Sequence, residues 1–212
     1  MEFPVLERVT REDAGPQVVL EIGAGAGNSA FPILANNKNL KLRVHACDFS
    51  KKAVEVMRGH EAYDPAFIQA DVWDVAGTEL PPDLSEGSVD VAVMVFIFSA
   101  LSPLQWDKAL ENVHRLLKPG GEVCFRDYGR GDLAQVRFRK GRYLEENFYI
   151  RGDGTRVYFF DQEELAEIWR GREGGPQFEV EKIGLDRRLL VNRKRELKMH
   201  RCWLQGHFRK KK

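Results

Sequence analysis

Apolar residues in the first two-thirds of the chain fall into short runs, and these alternate with stretches of helical spacing. Val18-Val19-Leu20-Glu21-Ile22 reads as a strand that stops at a glycine turn. Phe31 and Leu34 then predict a helix starting near Asn28. Val44-His45-Ala46-Cys47 is a second strand closed by Asp48, and Ser50 is a natural N-cap for a helix through Ala53, Val54 and Met57. Phe67-Ile68-Gln69-Ala70 is a short third strand ending at Asp71. Residues 72–88 contain Gly77, Pro81, Pro82 and Gly87 and read as loop. Residues 89–96 are almost continuously apolar, as a strand buried on both faces must be. A helix from about Pro103 would put Leu104, Ala109, Leu110, Val113, Leu116 and Leu117 on its inner face. Lys118-Pro119-Gly120-Gly121 then turns the chain into a strand over 122–128.

This alternation predicts an α/β fold in one domain over 1–212, with a mostly parallel sheet covered by helices on both faces. After Tyr128 the signals thin. Residues 147–150 and 157–160 read as strand pieces around a turn at Gly152-Asp153-Gly154. Asp161, with Glu164 as its capping-box partner, starts a helix to Trp169, and 178–183 and 199–208 supply the last two strands.

The composition, 43% hydrophobic and 31% charged, is that of a globular protein. The longest apolar run, 91–101, falls far short of the roughly 20 residues that span a bilayer, so no membrane partner is expected. Cys47, Cys124 and Cys202 are odd in number and far apart, which argues against a disulfide framework or a zinc site. That pattern suits a reducing compartment, cytoplasmic or nuclear, and no metal is expected because the five His are scattered too.

Charge changes the picture. Residues 1–125 hold 11 basic and 18 acidic side chains, a net of −7, whereas 126–212 hold 22 and 14, a net of +8. A skew of this kind suggests a polyanion bound beside an acidic body; a solvated basic tail is the plain alternative.

The most specific chemistry lies at Glu21-Ile22-Gly23-Ala24-Gly25-Ala26-Gly27-Asn28. Small residues let a ligand's anionic group approach backbone amides closely, and the N-terminus of the following helix adds favourable partial charge. A dinucleotide fingerprint would need a third glycine at position 28, where this chain has Asn28. Acids follow in register. Asp48 ends the second strand, placed to accept both ribose hydroxyls of an adenosyl ligand. Asp71, after the third, is placed to accept the adenine amino group. Glu21, beneath the loop, orients it and is within reach of a methionine amino group. Together these predict S-adenosylmethionine as cofactor, with S-adenosylhomocysteine as product, and disfavour a nicotinamide oxidoreductase.

The arrangement over 18–128 resembles the Rossmann-like, seven-stranded class I methyltransferases. The strings CDFS (47–50), SVDV (88–91), LLKPGG (116–121), FRDYG (125–129), ENFYIRGDGTRVYFF (146–160) and NRKRELKMHRCWLQ (192–205) are similar to one branch of these. That branch is the eukaryotic methyltransferase-like tRNA enzymes that make 3-methylcytidine in the anticodon loop. The resemblance implies cofactor contacts at Gly23, Asp48, Phe49, Asp71, Val72 and Val95, with Gly25, Gly27 and Asn28 completing the loop. It implies tRNA as partner, with a helper protein such as a tRNA synthetase open. It also implies a further upstream segment, whose end Glu2-Phe3-Pro4 resembles; a shortened form or a fragment with a partly walled pocket is expected.

Cytosine N3 has a lone pair, so its methylation requires alignment more than a general base. Asp127, at the end of the fifth strand, is the candidate carboxylate beside the cationic product, with Arg126 and Tyr128 flanking it. Tyr128 or Tyr149 is a candidate stacking partner for the splayed-out base. Arg126, Arg151 and Arg156 are candidates for phosphate or base contacts, and Lys194, Arg195, Lys198 and residues 210–212 for salt-sensitive binding. Arg126 and Asp127 in loop ion pairs is the structural alternative. Two other functions stay open: a methyltransferase on a small molecule or protein, and a non-catalytic RNA-binding module of the same fold.

Overall fold

The computed structural model describes residues 3–193 and 197–211. Its seven-stranded sheet has the order β3-β2-β1-β4-β5-β10-β9. The strands are β1 Gln17–Ile22, β2 Leu42–Asp48, β3 Ile68–Val72, β4 Val89–Val95, β5 Leu117–Tyr128, β9 Phe178–Asn192 and β10 Leu197–Lys210. The first five are parallel, and β10 runs antiparallel between β5 and β9. The sheet is mostly parallel, as the alternation predicted.

Helices α1 Pro4–Val9, α2 Ala30–Ala35 and α3 Lys51–Arg58 cover one face. Val9, Ile33 and Met57 there meet Val44, Val91, Val93 and Cys124. Helices α4 Pro103–Leu116 and α6 Gln162–Arg170 cover the other, where Leu110, Val113 and Trp169 meet Ala92, Met94, Phe125 and Phe208. β4 divides its apolar residues alternately between these two cores, which is why its sequence is apolar but for Asp90 near its start.

Local signals hold at the caps. Ser50 Oγ accepts from the Ala53 amide at 3.4 Å, and Asp161 and Glu164 form a complete capping box. No helix or strand lies between β3 and β4. The last two strands are longer than the sequence suggested, and Leu104, expected inside, is exposed at the start of α4. The strand pieces expected over 147–150 and 157–160 are β7 Phe148–Ile150 and β8 Arg156–Tyr158, which form a separate sheet with β6 Tyr143–Glu145; α1, α5 (Leu133–Val136) and β6 escaped the apolar pattern. These last are three to six residues long, too short to show a period. Among the described residues no helix is long and apolar enough to cross a membrane.

Candidate functional site

The carboxyl ends of the five parallel strands lie along one edge of the sheet. The turn after β1 folds over this edge because Gly23 and Ala24 donate to the Cys47 carbonyl at 2.8 and 3.0 Å. Gly23, Gly25 and Gly27 all have positive φ, at 69°, 56° and 83°. A Cβ on Gly23 would lie 2.6 Å from Ile97 Cγ1, whereas one on Gly25 would meet nothing within 4 Å. The Gly25 backbone is thus open to a ligand, and Asn28 is exposed beside it. The glycines thus leave backbone amides uncovered by side chains, the arrangement the sequence reading expected of a ligand cradle.

Glu21 is buried beneath this turn and accepts from the Ala30 amide at 2.8 Å. Burial pushes its carboxyl up to about 7, against the pull of hydrogen bonds from Ser29 and Ala30. Asp48 accepts from the Gly25 amide at 2.8 Å and from the Ser50 amide at 2.9 Å. One carboxylate therefore fixes both the glycine turn and the start of α3, and each oxygen keeps a lone pair for a further donor. Asp71 pairs with Arg58 at 2.9 Å and accepts from Gln69 at 2.8 Å, so its proposed adenine role is shared with two protein donors.

Phe49 and Val72 lie beside these acids and are 72% and 44% exposed, while Val95 at the end of β4 is half-buried. Two carboxylates, an open glycine backbone and exposed apolar side chains on adjacent strand ends fit an adenosyl ligand with a charged tail.

The end of β5 departs from expectation. Asp127 is fully buried, accepting from the Ser99 amide at 2.8 Å and the Tyr128 amide at 2.9 Å. Burial pushes its carboxyl up to about 6. In this position it is an internal fastener, not a group facing substrate, and its proposed catalytic role is corrected accordingly. Arg126 is corrected too, because it is buried in an ion pair with Asp186 and lies 4.6 Å from the Trp203 ring. Tyr128 alone of the three reaches the rim. Its hydroxyl accepts from Arg151 at 2.6 Å, and its ring lies 4.8 Å from Phe96.

Sequence reasoning missed Phe96, Arg201 and Trp203. Phe96 has a φ of 57°, rare and costly for an aromatic residue, and its amide donates to the Arg126 carbonyl at 2.8 Å. Arg201 lies 5.6 Å from the Tyr128 ring and 5.2 Å from the Trp203 ring, anchored by Asp132 at 2.9 Å. Phe96, Tyr128 and Trp203 thus pack with the Arg151 and Arg201 guanidinium planes where β4 and β5 end, while buried Arg126 lies against Trp203. The alternation of Arg201 and Trp203 along β10 was the available signal.

Other candidates are dispersed. Arg151 is in this cluster, but Arg156 is corrected to a structural tie, donating to the Ala100 carbonyl at 3.1 Å and to Gln105 at 2.9 Å. Tyr149 is half-buried and stacks on Phe138 at 4.7 Å. Lys198 is exposed on β10, and Lys210 instead donates to the carbonyls of His114 and Leu117. Lys194, Arg195 and Lys212 lie outside the described residues.

The sheet order, the glycine turn and the acids at successive strand ends together define a Rossmann-like class I methyltransferase domain. A family profile described as a methyltransferase domain matches residues 20–123. Similar solved structures include a SAM-dependent methyltransferase from Methanosarcina mazei, with a TM-score of 0.70, 18% identity, and 99% and 98% of the two chains covered. The 1,6-didemethyltoxoflavin-N1-methyltransferase of Burkholderia thailandensis has a TM-score of 0.58, with 20% identity and coverage of 99% and 77%. Within this class the chain belongs to the tRNA N3-methylcytidine methyltransferase family. It is 56% identical over 210 residues to the tRNA(Thr) (cytosine(32)-N(3))-methyltransferase of Saccharomyces cerevisiae, covering 98% of this chain and 33% of that protein. It is 52% identical over 209 residues to a tRNA N(3)-methylcytidine methyltransferase of Schizosaccharomyces pombe, covering 99% and 66%. The chain therefore spans between a third and two thirds of the length of these two relatives.

Proposed function

We propose that this chain carries the catalytic domain for methyl transfer from S-adenosylmethionine to N3 of a cytidine in the anticodon loop of tRNA. The observation that carries the reading is the rim of Phe96, Tyr128 and Trp203 interleaved with Arg151 and Arg201 where β4 and β5 end. Aromatic and guanidinium planes stack on unpaired bases, and the N3 edge is reachable only in an unpaired base. The activities for which the two yeast relatives are named point the same way.

When bound, the cofactor supplies an electrophilic methyl group on a sulfonium. Cytosine N3 brings its own lone pair, so the N–C bond forms as the S–C bond breaks, with no proton to remove first. A buried Asp127 is consistent with that chemistry. Glu21, Asp48 and the glycine turn hold the cofactor side, and Tyr128 with Phe96 orients the base by stacking. A tRNA synthetase as helper belongs to the same proposal. The free, buried thiols of Cys47, Cys124 and Cys202 suit the cytoplasmic or nuclear setting we propose for it.

The test is direct. The purified chain is incubated with S-adenosylmethionine and unmodified threonine tRNA, with and without the cognate synthetase, and the nucleosides are analysed by mass spectrometry. 3-Methylcytidine is expected; methylation of a different base, or none in either condition, overturns the proposal.

A further inference from the structure

The segment joining α5 to β6 reads Arg137-Phe138-Arg139-Lys140-Gly141-Arg142-Tyr143. Its four cations are all exposed, and among the described residues none of them pairs with a carboxylate. The Arg142 guanidinium donates to the Arg151 carbonyl at 3.1 Å. By contrast Arg58, Arg115, Arg126, Arg130, Arg201 and Arg209 each meet an acid. Four unneutralised cations within six residues repel one another and favour a bound polyanion.

Aromatic rings run through the same segment. Phe138 stacks on Tyr149 at 4.7 Å and 13°. Tyr143 meets Tyr149 edge-on at 5.9 Å and is 62% exposed, so one ring face is available. Tyr149 continues to Phe159 at 5.8 Å, and Phe159 to Tyr128 at 5.7 Å. A path of ring contacts therefore links the exposed cations to the rim where the target base is proposed to lie.

Cations free for phosphates together with an exposed ring free for a base are what single-stranded RNA requires. We infer that residues 137–143 bind the unpaired RNA flanking the target nucleotide, with Arg137, Arg139 and Lys140 against phosphates and Tyr143 stacked on a neighbouring base. This rests on the tRNA reading above and assigns a second contact region to it.

The experiment measures binding of the full chain to an anticodon stem-loop RNA and to a fully paired RNA hairpin of equal length, by fluorescence anisotropy across a salt series. The double variant Arg139→Ala/Lys140→Ala is expected to weaken both RNAs and to lower the salt slope by about 1–2. Tyr143→Ala is expected to weaken the stem-loop about tenfold and the hairpin little, and Tyr143→Phe to restore binding. S-adenosylhomocysteine affinity, measured by calorimetry, is expected to stay unchanged in all three. If the wild type binds RNA and the variants bind equally well, this inference fails and the tRNA reading stands. If the wild type binds neither RNA, both fail. Equal losses on the two RNAs from Tyr143→Ala overturn the stacking role, and lost S-adenosylhomocysteine affinity would assign the effects to a damaged fold and overturn the inference.

Discussion

The Asp127 carboxylate accepts the Ser99 amide at 2.8 Å, fastening the turn after β4 to the end of β5. Its other oxygen accepts the Tyr128 amide, so a single side chain sets the spacing of the two strand ends that carry Phe96 and Tyr128. Asp127→Asn puts an NH2 group where an acceptor is needed. A stability loss of about 1–3 kcal/mol is expected, the cost of a buried donor without a partner. Urea denaturation checks it: an unchanged midpoint would mean the carboxylate is not the fastener.

Gly23 and Gly25 should respond differently to alanine. Gly23→Ala forces a Cβ into Ile97 and lowers stability by about 2 kcal/mol or more, with cofactor affinity falling alongside. Gly25→Ala has open space, so its stability cost is confined to the strain of a positive φ, about 1 kcal/mol. Its methyl group would nevertheless stand where the cofactor approaches. Thermal melts and calorimetric titration with S-adenosylhomocysteine separate the two, and Gly25→Ala should lose affinity out of proportion to stability.

Asp48 holds the Gly25 and Ser50 amides and is proposed to receive the ribose. Asp48→Ala should weaken S-adenosylhomocysteine binding at least tenfold, since a hydrogen bond to a charged group is worth about 1.5–3 kcal/mol. Undiminished affinity in calorimetry would refute the ribose role.

Glu21 gives a pH dependence of definite sign. Its carboxyl is raised from 4.5 to about 7 in the folded chain, so the folded state binds this proton more tightly than the unfolded state. Its contribution is fully present below about pH 4.5 and is lost as pH rises through about 7. Glu21→Gln removes this term. The stability of the wild type relative to the variant should therefore fall between about pH 5 and pH 8, followed by thermal melts at each pH.

Glu122 has the opposite sign. Burial raises its carboxyl, but hydrogen bonds from His207 and Arg8 and the charges of Arg8 and Arg209 outweigh this and hold it at about 2. Its stabilising contribution is present above about pH 4.5 and lost as pH falls toward 2. Arg8→Ala should therefore make the chain lose stability at a higher pH during acid titration, read by circular dichroism.

The sheet and the edge proposed to hold the cofactor were legible in the sequence because both depend on local patterns. An almost continuous apolar run identified β4, and acids closing consecutive strands marked Asp48 and Asp71. The rim proposed to face the base was not legible, because it depends on side-chain direction across strands far apart in the chain. Asp127 and Arg126 occur in the string FRDYG as a pair of polar neighbours. Strand pleating sends one inward to Ser99 and the other against Trp203. Phe96 belonged to an apolar run that gave no hint of its left-handed backbone.

The position of β10 has a consequence for how the chain comes to be made. Of the seven strands of this sheet β10 is made after the other six, yet it lies sixth in the order, between β5 and β9. Until it has left the ribosome, β5 and β9 each present an unpaired edge, and Phe125 and Trp169 lack Phe208. The amino-terminal half can settle early in translation, but both the rim and its covering core await the final strand. During that interval the growing chain is most exposed to edge-to-edge pairing with its neighbours.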